Sequence, residues 1–303
     1  MGTNTFNLLI AELDEKGGYK PVYRSKVGVK LGEGSFEKNF ITEEAMRRSF
    51  VALDAQIHAV KNQYCDRVLA FATSAVRGAS NKEDYLQKVY DRFGINIHVI
   101  DGEREAHMIY NGVQLSGALS SNNALIMDIG GGSTEFVGAN DEEIIWKKSY
   151  ELGVSRLLEK FRPTDPITPE TLEEIEKELL SQVGEVFEMV EAEGIKTLIG
   201  SSGSFDTFSD VLSHREGTYE ETINQTTLVF NRDHLDAHLN ELILSTRSQR
   251  EAMDGMVAMR IKMIVVSAIF VRLVLQNTAI ENVKLSRYSL KEGVLFEVLK
   301  GNL

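Results

Sequence analysis

The sequence has almost no cysteine and little proline: 303 residues contain one Cys and four Pro. The single Cys65 excludes an intramolecular disulfide and is typical of a protein in a reducing cytosol. No low-complexity run indicates a disordered tail. The sequence does not open with a basic segment followed by an apolar one, so no secretion signal is recognisable. We therefore expect a folded, cytoplasmic protein.

A hydrophobic run long enough to span a bilayer is also missing. The most apolar segment, residues 263–275, is too short for that, and Arg260, Lys262 and Arg272 lie in or beside it. We expect this segment to form a buried helix and expect no membrane partner.

The sequence has fewer basic than acidic residues. The 33 Lys and Arg residues are outnumbered by 45 Asp and Glu residues, which gives a net charge of −12. This balance argues against broad electrostatic binding of nucleic acid. A phosphate-rich ligand would have to be held by main-chain N–H groups, a metal ion and a few cations, because the overall field repels it.

The length of the chain suits two domains rather than one. Strand-like runs alternate with helix-like segments, and this alternation predicts an α/β fold. The strand-like runs lie at 19–29, 67–72, 95–100, 124–129, 142–149, 196–199 and 283–285. The helix-like segments begin at 42, 101, 168 and 232, or lie at 82–93, 151–161 and 290–299.

The most informative stretch is ALIMDIGGGSTEFVG, residues 124–138. A glycine turn directly after an apolar strand lets the backbone bend sharply, so that its N–H groups can converge on a phosphate oxygen. The residues that would bind phosphate in this way are Gly130, Gly131, Gly132 and Ser133. Asp128 and Glu135 offer the hard oxygen ligands that Mg²⁺ prefers when it also holds phosphates. The alternative is a hairpin turn with incidental acids.

A second turn of this kind opens the chain in MGTNTFNLLIAEL. Gly2 aligns with Gly130, and the next three residues, Thr3, Asn4 and Thr5, align with those that follow Gly130. Two such turns about 128 residues apart indicate an internal duplication, in which each of two related domains presents one phosphate-binding turn to a shared cleft. The alternative is a chance match. The counterpart of Asp128 would precede Met1, so we expect the chain to begin inside its first strand.

Two further segments could contact phosphate. The strand-like run at 196–199 leads into a predicted loop, and the candidate phosphate-binding residues there are Gly200, Ser202, Gly203 and Ser204. Arg77 follows the run at 67–72, at the carboxyl end of a strand where α/β sheets bind ligands. It could hold a phosphate oxygen through both guanidinium N–H groups, or it could be a surface ion-pair partner.

Phosphoryl transfer also needs a group that positions the attacking nucleophile. Glu105 directly follows a predicted strand at a helix start, and a carboxylate there could orient and deprotonate a water molecule. Glu103 is its rival, and either acid could merely favour the helix dipole.

Several common enzyme classes are excluded because their motifs are missing. The sequence contains no G-x-x-x-x-G-K-[ST] loop, no kinase signature and no G-x-S-x-G elbow. His234 and His238 have a spacing that can bind zinc, but no third ligand is evident.

A set of motifs extends across the whole chain. In order they are GTNTFNLLIAEL, VKLGEG, ATSAVRGASN, IDGEREAHMIYNGV, LIMDIGGGSTEFV, SYELGVSRLLEKF, GSSGSFDTF and YSLKEGVL. Together they resemble the Ppx/GppA family of exopolyphosphatases and guanosine pentaphosphate phosphohydrolases. That family belongs to the superfamily of actin-like proteins, sugar kinases and heat-shock chaperones.

The resemblance implies two ribonuclease-H-like domains, of the actin-like ATPase superfamily, on either side of an interdomain cleft. We place the first domain at 1–119 and the second at 120–285. The C-terminal helix, 286–303, is expected to pack back on the first domain.

The resemblance also implies roles for residues in these motifs. Glu105 falls on the family's catalytic glutamate and Arg77 on a phosphate-binding arginine. Asp128 and Glu135 fall on acids associated with Mg²⁺, and the turn after Asp128 falls on a phosphate loop. The chain departs from the family pattern before Gly2, where an acidic residue is expected.

The implied activity is hydrolysis of a terminal phosphoanhydride, in polyphosphate or in pppGpp, by a homodimeric, Mg²⁺-dependent enzyme. Both substrates end in a similar phosphoanhydride, so both stay open. Two alternatives remain: a small-metabolite kinase on the same fold, and a non-catalytic module that binds polyphosphate or nucleotide.

Overall fold

The computed structural model describes residues 1–14, 17–34 and 39–303. Its strands are β1 (Thr5–Leu13), β2 (Tyr19–Gly28), β3 (Ala70–Ala72), β4 (Ile97–Val99), β5 (Ala124–Ile129), β6 (Thr134–Ala139), β7 (Ile144–Tyr150), β8 (Thr197–Ser201), β9 (Thr227–Val229) and β10 (Asn282–Ser286). Its helices are α1 (Glu43–Asn62), α2 (Ser74–Arg77), α3 (Lys82–Phe93), α4 (Gly102–Ser116), α5 (Val154–Phe161), α6 (Pro169–Ala192), α7 (Ser202–Glu216), α8 (Tyr219–Thr222), α9 (Arg232–Leu244), α10 (Arg247–Glu251), α11 (Met263–Gln276) and α12 (Leu290–Leu299). The predicted α/β class is confirmed.

The first half of the chain contains two strand pairs. β1 and β2 form an antiparallel hairpin, whereas β3 and β4 pair in parallel. The residues before β1 lie beside β3, because the N–H of Thr73 donates to the carbonyl oxygen of Met1 at 3.3 Å. One apolar core, which includes Phe6, Leu53 and Tyr85, joins these strands to α1 and α3. The first glycine turn therefore lies at the edge of a packed core.

The second half is built on a six-stranded sheet with the order β7-β6-β5-β8-β10-β9. β5, β8 and β10 are parallel, and the other neighbours are antiparallel. Helices cover both faces: Leu125 shares an apolar cluster with α6 and α11, and Ile126 shares one with α4. All six residues of β5 are therefore buried, as its uninterrupted apolar sequence predicts.

Helix α4 is held at its start and along its length. The Asp101 carboxylate accepts a hydrogen bond from the N–H of Arg104 at 2.7 Å and caps the helix. The helix also packs closely on α12, since a Cβ atom added to Gly112 would lie 2.1 Å from the carbonyl oxygen of Ser289. α12 contacts β1 as well. The domain boundaries proposed from the sequence stay a prediction.

The prediction of a loop at 200–204 is wrong. β8 continues through Gly200, which pairs with both β5 and β10, and α7 begins at Ser202. Gly200 provides space for the Phe205 ring, which would lie 2.0 Å from an added Cβ atom. The change of direction occurs at Ser202, whose φ of 73° is in the left-handed region.

The apolar segment at 263–275 forms α11, which is buried along most of its length, as predicted. Within the described ranges, no helix has both the length and the apolar character needed to cross a membrane.

Candidate active site

The two glycine turns have the same local geometry. The N–H of Gly2 donates to the carbonyl oxygen of Thr5 at 2.9 Å, and the N–H of Gly130 donates to that of Ser133 at 2.9 Å. Each turn leads into a strand of an antiparallel hairpin, β1 in one case and β6 in the other.

The strands after the turns also share an irregularity. The register of β1 shifts between Ile10 and Ala11, and that of β6 shifts between Gly138 and Ala139. These shifts have the same separation in sequence as the two turns. A shared hydrogen bond followed by a shared register shift is what an internal duplication predicts.

The two turns are in direct contact. A Cβ atom added to Gly131 would lie 2.5 Å from the side-chain nitrogen of Asn4 and 2.8 Å from Cβ of Thr3. The Ser155 hydroxyl donates to the side-chain amide oxygen of Asn4 at 2.8 Å, a bond that joins the first turn to the second half of the chain. Only glycine fits at position 131, because any side chain would separate the turns.

Helix α5 orients the second turn. The N–H groups of Val154 and Ser155 donate to the carbonyl oxygens of Gly130 and Gly131 at 3.0 and 2.8 Å. These bonds direct the carbonyl oxygens of the turn toward α5. In the described part of the chain, no group accepts from the main-chain N–H of the next three residues, Gly131, Gly132 and Ser133. This row of unpaired donors is suited to an anion.

Glu105 lies in the first turn of α4 and is buried, with 7% of its surface exposed. Its carboxylate accepts from the Arg77 guanidinium at 2.9 Å, and the nearby Thr73 side chain favours its charged form. Burial raises the pKa of Glu105 to about 7, although Arg77 opposes the rise. A carboxylate with this pKa can accept a proton near neutral pH.

Asp128 and Glu135 lie opposite each other on β5 and β6. Asp128 accepts hydrogen bonds from Ser201 and Ser289 at 2.8 and 2.6 Å, and Glu135 accepts one from Ser149 at 2.7 Å. Burial raises the pKa of both carboxyl groups, and the repulsion of neighbouring acids adds to the rise in the pKa of Glu135.

These acids fit part of a Mg²⁺ site rather than a complete one. Across residues 1–14, 17–34 and 39–303, no group of three or more His, Cys, Asp and Glu side chains is arranged to hold a metal ion. Mg²⁺ is commonly bound by one or two carboxylates together with substrate phosphates and water. A cation at Asp128 and Glu135 would also relieve the repulsion between the buried acids.

The Arg77 guanidinium is paired with acidic side chains. One guanidinium nitrogen donates to Glu105 and also to the carbonyl oxygen of Ile100 at 3.2 Å. The other lies 3.5 Å from Glu151, which also pairs with Arg156. Arg77 therefore holds Glu105, and its predicted contact with phosphate stays a prediction.

Two cations that the sequence analysis missed lie beside the start of α7. A Cβ atom added to Gly203 would lie 2.1 Å from the Arg260 guanidinium and 3.0 Å from the Lys26 ammonium. Arg260 is buried, and burial lowers its pKa. Desolvation of the ammonium group beside α7, followed by the charge of Arg260, lowers the pKa of Lys26, although the residue as a whole is exposed. The sequence feature that could have indicated Arg260 as a site residue is its charge, three residues before the most apolar helix.

The other predicted residues of this segment have internal partners. The Ser202 side chain favours the charged form of Asp128, and Ser204 shares a 2.8 Å hydrogen bond with Ser267. The main-chain N–H groups at the start of α7 have no side-chain cap. Phosphate binding by this segment stays a prediction and would rest on those N–H groups.

The two histidines do not form a metal site with the described residues. His234 contacts Glu216 at 2.6 Å, whereas His238 is buried beneath Phe208 and faces Arg215 and Glu241. No third ligand from the part of the chain that the structure describes joins them.

Comparison with known proteins extends this description. A model of the Ppx/GppA phosphatase family matches residues 9–302. Exopolyphosphatase 1 of Mycobacterium tuberculosis is 26% identical over 300 residues, which are 99% of this chain and 86% of the relative. The crystal structure of an exopolyphosphatase from Cytophaga hutchinsonii is 36% identical, with a TM-score of 0.94 over 99% of this chain and 96% of that one.

A more distant structure shows the same fold. The Aquifex aeolicus member of the Ppx/GppA family is 23% identical, with a TM-score of 0.81 over 100% of this chain and 97% of that one. The α/β architecture described above is thus shared by relatives of low sequence identity.

Proposed function

The chain belongs to the Ppx/GppA phosphatase family, as its motifs predicted, and we propose that it is a phosphoanhydride hydrolase that releases orthophosphate from the end of inorganic polyphosphate. The observation that carries the proposal is Glu105, which is buried with a raised pKa and close enough to Asp128 and Glu135, on the strands that flank the second glycine turn, to interact with their charges. Exopolyphosphatases among the similar proteins support the choice of substrate.

In the proposed reaction, Glu105 accepts a proton from a water molecule as the water oxygen attacks the terminal phosphorus. A new P–O bond forms while the bridging P–O bond breaks, which yields orthophosphate and a polyphosphate shorter by one unit. The unpaired N–H groups of Gly131, Gly132 and Ser133 stabilise the negative charge on the transferred phosphoryl oxygens.

Asp128 and Glu135 would hold Mg²⁺, which when bound supplies positive charge to the phosphate oxygens. In our proposal the chain's own residues do the rest. Arg77 keeps Glu105 ionised and in place through its hydrogen bond. The Thr73 side chain also favours the charged form of this carboxylate.

pppGpp is the second candidate substrate, because its terminal phosphoanhydride presents the same atoms to Glu105. pppGpp differs from polyphosphate only in the part of the molecule beyond the reacting phosphates. Lys26 and Arg260 lie where the following phosphates of either ligand could be bound.

Orthophosphate release from long polyphosphate, short polyphosphate and pppGpp, with Mg²⁺ and with excess chelator, tests the proposal. We expect release from polyphosphate that chelation abolishes. ATP with candidate acceptors serves as the parallel reaction: transfer to an acceptor would indicate a kinase. Binding of polyphosphate without any release would indicate a non-catalytic module and would overturn the proposal.

A further inference from the structure

Ser74 is a buried residue whose hydroxyl is unused. It is the first residue of α2, directly after the end of β3, and 3% of its surface is exposed. Within the described residues, its Oγ atom has no hydrogen-bond partner. Buried hydroxyls are normally paired, and an unpaired one destabilises the fold because its bonds to water are lost.

The neighbouring hydroxyls behave differently. The hydroxyl of the adjacent Thr73 is not among the buried atoms without a partner, and its side chain favours the charged form of Glu105. Ser49, in the core of the same half, donates to the carbonyl oxygen of Met46 at 2.7 Å and accepts from the Tyr85 hydroxyl at 3.0 Å. Among the described residues of this half, the buried hydroxyls without a partner are those of Ser74 and Tyr110, so the missing partner is not general to buried hydroxyls there.

The unpaired hydroxyl lies against the second glycine turn. A Cβ atom added to Gly132 would lie 2.5 Å from Oγ of Ser74 and 2.9 Å from Oγ1 of Thr3. Gly132 belongs to the row of main-chain N–H groups that have no acceptor. Unpaired donors from both halves of the chain thus lie close to one another at Gly132.

The surroundings of this place match the reacting end of a phosphate chain. Ser74 is flanked by Thr73 and followed one turn later by Arg77, and both of these favour the charged form of Glu105. A phosphoryl group bound at the Gly132 turn would offer non-bridging oxygens, which are strong acceptors for a hydroxyl. It would also lie beside the carboxylate that acts on water.

We propose that Ser74 is a further substrate-binding residue, which donates a hydrogen bond from Oγ to a non-bridging oxygen of the phosphoryl group under attack. The proposal rests on the proposed function. It explains why a buried hydroxyl is retained without a partner, because the substrate supplies the acceptor. It also gives the first half of the chain a direct contact with the transferred group.

Ser74→Ala tests the proposal through three properties: kcat/KM, the Tm of the substrate-free protein and the rise in Tm caused by inorganic phosphate. We expect kcat/KM for polyphosphate to fall by roughly tenfold or more, as for other hydrogen bonds to charged groups. We expect the Tm of the substrate-free protein to stay unchanged or to rise, because an unpaired buried hydroxyl has been removed. The rise in Tm caused by inorganic phosphate should be smaller than in the wild type.

Ser49→Ala is the matched control, since it removes a buried hydroxyl that has two partners. It should lower Tm and leave kcat/KM and the phosphate-induced shift unchanged. A Ser74→Ala variant with wild-type kcat/KM, or with a lowered substrate-free Tm and an unchanged phosphate-induced shift, would overturn the proposal. If the wild type itself releases no phosphate, the proposed function fails instead. Equal phosphate-induced shifts in wild type and Ser74→Ala would then overturn the role of Ser74 separately.

Discussion

Glu105 experiences two opposing effects. Burial favours the neutral acid, whereas the ion pair with Arg77 favours the carboxylate. Burial has the larger effect, so the pKa rises to about 7 instead of falling below its usual 4.5. At neutral pH, a general base with a pKa near 7 is ionised in a large fraction of molecules and still binds a proton strongly enough to take one from water. The ion pair with Arg77 therefore keeps the carboxylate in place without abolishing its basicity.

Glu105→Gln should remove most turnover while leaving polyphosphate binding largely intact. The amide keeps the size of the side chain but cannot accept a proton from water. We expect kcat to fall by about 100-fold or more, the usual contribution of a general base. Initial rates and direct binding of polyphosphate measure the two properties.

Glu103→Gln is the matched control, because it makes the same change in the same helical turn. The Glu103 side chain is exposed and lies 3.9 Å from Lys147, so its loss should leave kcat unchanged. If Glu103→Gln impaired turnover and Glu105→Gln did not, the base would be Glu103.

The pKa of Glu105 also predicts the pH dependence of the reaction. The ionised carboxylate is the active form, so kcat/KM should rise with pH through about 7 instead of through 4.5. The folded state binds this proton more tightly than the unfolded state does. The resulting stabilisation is complete below the unfolded pKa and is lost as pH rises through the folded pKa.

The stability of the wild type relative to Glu105→Gln should therefore decline between pH 4.5 and about 7. Denaturation curves of both proteins across this range measure the difference. A difference that does not vary with pH, together with a rate profile that is flat near neutrality, would contradict the assigned pKa.

The sequence predicted some of the site residues better than others. Glu105 and Asp128 were recognisable because each sits where a strand ends, and short motifs identify such positions. Lys26 and Arg260 were not, because they meet at Gly203 only after β2 and the segment before α11 have folded against α7. Contacts between residues so far apart in sequence leave no local pattern.

At the scale of helices and strands, α4 and α12 touch through their main chains. A Cβ atom added to Gly293 would lie 1.7 Å from the carbonyl oxygen of Met108, too close for any side chain. The pair links two parts of the site. Helix α4 carries Glu105, whereas Ser289, the N-cap residue of α12, donates a hydrogen bond to Asp128. The separation of the two helices therefore bears on the geometry of the proposed active site.

Gly293→Ala should destabilise the protein and impair turnover together. Alanine favours a helix by up to about 1 kcal/mol over glycine, but a contact with a main-chain oxygen cannot relax by a side-chain movement. We expect a net loss of about 2 kcal/mol, measured by urea denaturation, and a lower kcat/KM. Gly184→Ala is the control: nothing lies within 4 Å of its added Cβ atom, so it should stabilise α6 slightly. Equal effects of the two changes would show that the helices can separate freely.

Elements with strong local signals were predicted closely, and those set by tertiary pairing were not. The apolar run before the glycines gave β5, and the last helix was placed at its observed bounds, 290–299. Residues 200–204 resemble a loop in composition, yet pairing with β5 and β10 extends β8 to Ser201. Gly200 is needed because the Phe205 ring packs against it, and this contact cannot be read from local turn preferences.

At the scale of the whole molecule, the net charge of −12 opposes a polyanionic substrate. The proposed active site must overcome this repulsion locally. Unpaired N–H groups at the second turn and the cations Lys26 and Arg260 beside α7 are the groups that can do so. Because attraction falls off within a Debye length, nearby cations outweigh distant acids once the substrate has entered.

Lys26→Gln tests whether binding depends on this local charge or on the overall field. Lys88→Gln on α3 is the matched control, since its lysine pairs with Asp84 on the same exposed helix and both variants become one unit more negative than −12. We expect KM for polyphosphate to rise by about threefold to tenfold in Lys26→Gln, as for the loss of one charge-assisted contact. Lys88→Gln should match the wild type, and added salt should narrow the difference between the variants by screening the contact. If both changes raised KM equally, the overall field would govern binding and Lys26 would have no special place in the proposed active site.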